Sequence, residues 1–397
     1  MNYTQWKELL KNTPLPAGLV DLDAFDQNIK TIADTLVNKN QTIRIATKSL
    51  RVPGLLKRIL NYGPPFSGLM CFSAFEIKFL HSQGFDNFLL AYPTVDNDEL
   101  KVLREVHDQG ADVCVVVDSE FHLKQLHQVM NGAGLPFKFI IDVDASLRFF
   151  GGKVHLGVRR SPIRTSSQVL NLIKLSNNYS SLSFGGIMVY EAQVAGLGDQ
   201  NPFKKLLNPI FKLVRSLSIK TVKRLRKEIS KNIIKEGHSI KLFNGGGTGS
   251  LSFASHEPCL TELTAGSGFF CSHLFDYYSN LNLKPSAFFA LRVTRSSDEN
   301  FVTCQSGGFI ASGEPGWDKV PVPYEPKGLS LLSAEGCGEV QTPMVVKNNK
   351  LSIGDPVFFR HSKAGELSER LNEYLLISNQ GVIRTEKTYR GYGQSYG

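Results

Sequence analysis

The feature that most constrains this chain is an alternation running through its first two-thirds. Eight short apolar runs, each strand-like, are separated by stretches of helical periodicity. They are Ile43–Thr47, Phe66–Cys71, Asn87–Tyr92, Asp112–Val117, Phe137–Val143, Phe184–Val189, Ile240–Phe243 and Leu260–Thr264. Strands buried on both faces read as continuous apolar runs, as in a parallel sheet. Alternation with helices marks parallel βα units. Eight such units predict an α/β protein with a (β/α)8 TIM-type barrel, over residues 21–282. Cap residues fit the intervening helices. Asp21 or Asp23 precedes a helix running to about Val37, and Ser73 with Glu76 reads as a capping box. Asp96 and Ser119 are caps further on.

The alternation stops after Asn282. From Pro285 the strand-like runs are Ala287–Val293, Phe301–Ser306, Leu329–Ser333, Glu339–Val345, Asp355–Phe359 and Tyr374–Ser378, punctuated by Gly, Pro, Asn and Asp. This pattern predicts an antiparallel β domain over residues 283–397. Residues 1–20 are expected to join it, with Leu19-Val20-Asp21 reading as a strand. The Gly- and Tyr-rich end, Tyr389 to Gly397, has no apolar periodicity and reads as poorly ordered.

Composition excludes several classes. Of 397 residues, 42% are hydrophobic and 20% charged, as in a globular protein. No apolar run approaches the ~20 residues of a membrane span, so no membrane partner is expected. The N-terminus lacks the apolar core of a secretory signal. The six cysteines, Cys71, Cys114, Cys259, Cys271, Cys304 and Cys337, show no C-x-x-C spacing. Free thiols in a reducing, cytoplasmic setting are the expectation. The net charge of +9 is concentrated between Lys204 and Lys241. Lys212, Arg215, Lys220, Lys223, Arg224, Arg226, Lys227 and Lys231 alternate there with Leu, Ile and Val, predicting one or two amphipathic helices with a basic, solvated outer face. Only Phe211 falls among these basic residues, too few aromatics for a nucleic-acid stacking platform.

Two stretches carry chemistry. Lys48 ends the first strand, and Pro53 allows a helix to start soon after. Lys48 thus lies on the barrel edge that carries catalysis, where a lysine is either a surface charge or an amine for covalent work. The second stretch is Asn244-Gly245-Gly246-Gly247-Thr248-Gly249-Ser250, after the seventh strand. Glycines let backbone N–H groups approach an anion, and a helix N-terminus adds partial positive charge. The eighth strand ends in Ala265-Gly266-Ser267-Gly268, a second glycine-rich turn. Barrels often bind phosphate on the loops after strands seven and eight. Strand eight closes beside strand one, so an anion cradle would face Lys48. A phosphorylated cofactor bearing an aldehyde suits that pairing, with pyridoxal phosphate the leading candidate.

The sequence resembles the fold-type III pyridoxal-phosphate enzymes, in the D-threonine aldolase and D-serine dehydratase group of the alanine racemase N-terminal barrel superfamily. The likeness rests on Thr13-Pro14-Leu15-Pro16, Val20-Asp21-Leu22-Asp23, Thr47-Lys48, Asp142-Val143-Asp144 with Arg148, and Gly185-Gly186-Ile187-Met188-Val189-Tyr190. Gly245–Gly249, Thr261-Glu262, Gly266-Ser267 and Gly354-Asp355 with His361 complete it. The resemblance implies that Lys48 forms the Schiff base with the cofactor. It implies Arg148 near the phenolic oxygen, Tyr190 beside the ring or substrate, and Gly246, Gly247, Thr248, Gly266 and Ser267 around the phosphate. It also implies a homodimer and a small amino-acid substrate.

The departures bear on the reaction. Enzymes of this group usually place a His and, two residues later, a Cys or Asp on a metal in the β domain. Here His361 is followed by Ser362 and Lys363. Either Lys363 puts an ammonium where the metal's charge would be, or Glu366 serves a hard cation instead. The group's frequent histidine near Tyr190 is replaced by Gln193. The expected activity is a lyase acting on D-amino acids with a β-hydroxyl, by aldol cleavage or dehydration. Lys48, His361 and Lys363 are the expected catalytic residues. An amino-acid racemase and a non-catalytic pyridoxal-phosphate carrier are the alternatives.

Overall fold

The computed structural model of the protein describes residues 2–149, 153–196, 198–203, 205–298, 300–347, 350–363 and 365–396. Lys204 of the basic run and Gly397 lie outside the described residues. The chain opens with a short helix, Tyr3–Leu9, and strand β1, Ala17–Asp21. Five strands follow: β2 (Thr42–Ala46), β3 (Phe66–Cys71), β4 (Phe88–Leu90), β5 (Val113–Val117) and β6 (Phe137–Asp142). A small hairpin, β7 (Leu147–Phe149) with β8 (Val154–Leu156), precedes β9 (Leu182–Met188), β10 (Leu242–Gly245) and β11 (Glu262–Ala265). The strands β2 to β6 with β9 to β11 form a closed barrel of eight, all paired in parallel. Each expected barrel strand is present.

The last two strands start two residues later than expected and extend to Gly245 and Ala265. Apolarity stops before Asn244, while the expected eighth strand already ran through the polar Glu262 and Thr264. Asn244, Glu262 and Thr264 are nevertheless buried, because they bond one another inside the barrel. The helices cap much as their residues predict. Asp21, Asp96 and Ser119 each accept a first-turn N–H. Ser73 caps the helix Ala74–Ser82, but Glu76 reaches one residue further back and accepts the Phe72 N–H at 2.8 Å.

The remaining strands are β12 (Ala287–Asp298), β13 (Phe301–Gln305), β14 (Val322–Glu325), β15 (Leu329–Leu331), β16 (Gln341–Val346), β17 (Pro356–Arg360), β18 (Glu373–Ser378) and β19 (Gly381–Lys387). They form one mostly antiparallel sheet, and β1 enters it between β12 and β18. Two of these strands escape sequence reading. The first, β14, is only four residues and contains Pro323, while β19 is mostly exposed and carries Arg384, Glu386 and Lys387. The ring of Trp6 meets Phe288 and Phe358 edge-on, with centroids 4.8 Å away in each case, so the N-terminal helix covers one face of the sheet. Phe289 and Phe359 stack at 5.1 Å on the opposite side of the same strands.

Two expectations need correction. The basic run forms one helix, Asn208–Lys235, but Arg226 is not on its solvated face. Arg226 lies in the buried stripe with Ser218, Val222, Ile229 and Ile233. The C-terminal end is not loose either. Tyr389 is fully buried, its N–H bonds the Arg51 carbonyl at 2.8 Å, and its hydroxyl donates to Glu76 at 2.8 Å. Tyr389 and Tyr396 both pack on Phe79. Single aromatic anchors have no period, so the sequence pattern is silent about them.

Among the described residues no helix is long and apolar enough to cross a membrane. All six cysteines are unpaired.

Burial pushes the Glu76 carboxyl from 4.5 to about 7, against the hydrogen bonds from Phe72, Thr47 and Tyr389 and the nearby Arg51 charge. The folded state therefore holds this proton more tightly than the unfolded chain. The stability it contributes is full below about 4.5 and is lost as pH rises through about 7. Glu76→Gln should flatten the pH dependence of unfolding free energy across that window, by up to roughly 3 kcal/mol relative to the parent. Parallel denaturant titrations of parent and variant between pH 4 and 8 measure this, and identical slopes would refute it.

Candidate active site

The barrel's C-terminal mouth holds a cavity of about 480 Å³. Lys48 stands on its wall, in a single tight turn, Thr47–Ser49, between β2 and the helix Pro53–Leu60. Thr47, Ser49 and Leu50 are buried while Lys48 is exposed, so the turn aims this side chain outward from an anchored backbone. Its Nζ donates to the Tyr92 hydroxyl at 2.6 Å. Tyr92 ends the expected third strand, the position equivalent to that of Lys48 on the first. That equivalence was the available signal for it.

The glycine turns after β10 and β11 line the same cavity, through Gly246, Gly247, Thr248, Gly266 and Ser267, and so does Tyr190. Close approach explains the glycines. A Cβ on Gly266 would lie 2.6 Å from Ser49 Oγ and 2.9 Å from Ala46 Cβ. One on Gly247 would lie 3.1 Å from both Ala195 Cβ and Tyr190 Cε2. Gly246 has φ +80°, the left-handed region that favours glycine, and its N–H turns to the Glu191 carboxylate at 3.2 Å. Thr248 Oγ1 accepts the Gly266 and Gly268 N–H groups at 3.4 and 3.2 Å, joining the two turns. The Ser49 and Ser267 hydroxyls are 3.2 Å apart, joining the second turn to the lysine turn.

The cavity is bounded below by a polar network. Asn244 donates to Glu262 at 2.7 Å and to Thr264 at 3.0 Å, and Arg44 Nε donates to Glu262 at 2.8 Å. On another wall are Asp118, Asp142 and Arg160. Burial, with Asp118 adding like charge, pushes the Asp142 carboxyl to about 7, and Arg160 opposes the shift. Burial also pushes the Tyr190 hydroxyl up, with Glu191 adding to it. Asp118 and Asp142 lie at the C-terminal ends of β5 and β6, a position the strand pattern already offered, whereas Arg160 gave no sequence signal of a shared site.

Three expected site residues are not on the cavity wall. Arg148 is 41% exposed and reaches Asp144 at 3.4 Å, leaving Arg160 as the guanidinium facing the cavity. His361 is only 2% exposed and lies edge-on to Phe270. Among the described residues neither of its ring nitrogens makes a well-formed hydrogen bond, and burial, with Arg360 and His273, pulls its pKa down to about 3 against the Ala287 backbone. Lys363 Nζ donates to Ser312 Oγ at 2.9 Å and pairs with Glu366 at 3.3 Å. Gln193 is also committed, donating to the Ala145 carbonyl at 2.7 Å. Among the described residues no group of three or more His, Cys, Asp or Glu side chains is placed to hold a metal ion.

A barrel of this kind, closed beside a mostly antiparallel sheet and carrying a lysine at the end of its first strand, defines a class of protein. The family model for the alanine racemase N-terminal domain matches residues 20–228, and the chain belongs to that family. Its fold is that of the fold-type III pyridoxal-phosphate enzymes and is D-threonine aldolase-like. It is similar to the D-threonine aldolase of Filomicrobium marinum, with a TM-score of 0.80 at 19% identity over 96% of each chain. It is also similar to the D-threo-3-hydroxyaspartate dehydratase of Delftia sp. HT23, with a TM-score of 0.75 at 14% identity over 96% of this chain and 98% of that one. The alanine racemase of Clostridium difficile 630 gives a TM-score of 0.66 at 11% identity over 95% and 99%. No curated protein matches the sequence.

If the turn after β10 cradles an anion, Gly247→Val places two methyl groups where that anion would approach. Affinity for pyridoxal phosphate should fall at least tenfold, with a smaller effect on melting temperature. Equilibrium binding of the cofactor to both proteins is the measurement. Equal affinity would make this stretch an ordinary turn.

Proposed function

We propose that the protein is a cytoplasmic pyridoxal-phosphate-dependent lyase acting on D-amino acids, with β-hydroxy-D-amino acids as its substrates. The observation that carries the reading is Lys48, exposed from an otherwise buried turn, facing the same cavity as both glycine turns. The residues present fit the cofactor. Gly266 and Gly247 let their turns pack closely on the lysine turn and on Tyr190, and the hydroxyls of Ser49, Ser267 and Thr248 converge beside them on the cavity. In this reading Lys48 carries the cofactor's carbonyl carbon, and Thr248, Ser267 and the glycine backbones hold its phosphate. Arg160, in the place first expected for Arg148, steadies negative charge at the cavity wall. Bound there, pyridoxal phosphate supplies an electron sink that stabilises a carbanion at the substrate's α carbon.

The chain's own groups do the rest. Lys48 Nζ, the amine that would hold the cofactor, could also move a proton at the substrate's α carbon. Tyr92 Oη, 2.6 Å away, holds that amine in place. Tyr190 flanks the substrate, and the surrounding apolar wall limits water.

The donor set in the β domain does not fit a divalent ion. The residue two after His361 is Lys363, and an ammonium beside such an ion is repelled. Glu366, the other available oxygen donor, is already bonded by the Ser312 N–H and hydroxyl at 2.7 and 2.6 Å. We therefore read the β-hydroxyl as served without a metal, by positive charge from Lys363, while His361, sealed behind Phe270, takes no part. The loop carrying Lys363 packs on the lysine turn, since a Cβ on Gly365 would lie 1.8 Å from the Lys48 carbonyl oxygen.

Three outcomes follow from this reading. Borohydride added to the cofactor-loaded protein should fix the cofactor to Lys48, seen by peptide mass, while Lys48→Ala should bind it reversibly and more weakly. A parent protein that takes up no pyridoxal phosphate would end the reading. Second, a panel of D- and L-amino acids should yield products from β-hydroxy-D-amino acids alone when ammonia, 2-oxo acid, glycine and aldehyde are assayed together. Third, turnover should survive exhaustive chelation and fall at least tenfold in Lys363→Ala. Loss in chelator with recovery on adding manganese, zinc or magnesium would defeat the metal-free reading.

A further inference from the structure

Arg226 and Glu191 take no part in the steps above, yet both are wholly buried and paired. Arg226 comes from the middle of the helix Asn208–Lys235, in phase with Val222, Ile229 and Ile233. Its Nη1 donates to Glu257 at 2.7 Å, and its Nη2 donates to the Val189 carbonyl at 2.6 Å and to the Glu191 carboxylate. Glu191 in turn accepts the Ser250 hydroxyl at 2.6 Å and the Gly246 N–H at 3.2 Å. Ser250 Oγ accepts the Gly247 N–H at 3.0 Å. Gly245 completes the contact, since a Cβ there would lie 2.6 Å from Arg226 Nη2.

One guanidinium and one carboxylate thus tie two segments together. The first is Val189-Tyr190-Glu191, after β9, and the second is the glycine turn after β10. Tyr190 sits between the two residues that are held. Burying such charges is expensive, and apolar packing of similar volume would be about as stable. What the network does is fix one geometry, because each of its hydrogen bonds has a set direction.

We propose that Arg226 and Glu191 are positioning residues that set the glycine turn to receive the cofactor's phosphate and hold Tyr190 against it. This rests on the reading of the cavity as a pyridoxal-phosphate site. The clamp acts through Ser250 and Gly246, so its effect belongs to the phosphate and not to the aldehyde at Lys48.

Arg226→Met leaves two buried carboxylates unpaired and risks the fold, so Ser250→Ala is the deciding variant. It removes the relay from Glu191 to the Gly247 N–H and leaves the ion pair in place. The measurement is equilibrium affinity for pyridoxal phosphate and, separately, for pyridoxal, which lacks the phosphate. Ser250→Ala should lose about tenfold in pyridoxal-phosphate affinity, the loss of one charge-linked hydrogen bond. Its pyridoxal affinity should stay near the parent's, with a modest drop in melting temperature from the unpaired buried groups. An unchanged pyridoxal-phosphate affinity, or an equal loss for both ligands, overturns the clamp and leaves the proposed function standing. A parent that binds neither ligand overturns both.

Discussion

The pairing of β11 with β2 is the constraint on which the site depends. It closes the barrel, with Thr264 opposite Arg44 and Ala265 opposite Ile45. The next residues along each strand are Gly266 and the turn Thr47–Ser49. Closure therefore brings the glycine turn after β11 against the lysine turn without any long-range loop. Gly266 meets this demand because no side chain fits between it and Ala46. A slip of one residue would reverse which side chains face inward and would separate the two turns.

Closure has a cost, visible in what fills the barrel. Arg44, Asn244, Glu262 and Thr264 are all buried and bonded to one another. Arg44 also donates to the Asn87 carbonyl at 2.7 Å, so the network reaches the start of β4. Buried ion pairs of this kind add little net stability, but they penalise any arrangement that leaves a partner unpaired. The network around Arg226 follows the same logic one layer out. Together they fix the floor of the cavity and its glycine turn in one directed set of hydrogen bonds.

Most of the barrel was legible because burial on both faces makes parallel strands continuous apolar runs. Legibility failed where the interior is polar. Asn244 read as the start of the glycine-rich loop, and Arg226 read as one more exposed cation in a basic helix. Yet Arg226 is four residues from Val222 and three from Ile229, so the helical period itself placed it inside. Local motifs located Lys48 and the glycine turns on the cavity. Asp118 and Asp142 stood at strand ends and Asp142 in a stretch that carried the resemblance, but Arg160 was not legible, because no sequence spacing encodes where its loop returns. His361 and Lys363 were chosen by resemblance to a two-ligand pair, and the structure gives them different surroundings: one is sealed behind Phe270 and the other is paired with Glu366.

The barrel does not hold Lys48 alone. Just beyond it Arg51 has φ +57°, a conformation non-glycine residues rarely adopt. Such a residue persists only where its surroundings over-determine it. Here they do. Arg51 Nε donates back to the Lys48 carbonyl at 3.2 Å, its guanidinium pairs with Glu369, and it lies 5.0 Å over the Phe72 ring. Ser368 donates to the Leu50 carbonyl at 2.7 Å, and Tyr389 caps the Arg51 carbonyl. Glu369, Ser368 and Tyr389 all lie in the C-terminal part of the chain, beyond β17. The turn that presents Lys48 is thus strained locally and held remotely. The sheet and the C-terminal tail therefore belong to the architecture of the lysine site as much as the barrel does, since without them the backbone of the lysine turn would lose the partners that hold its strained geometry.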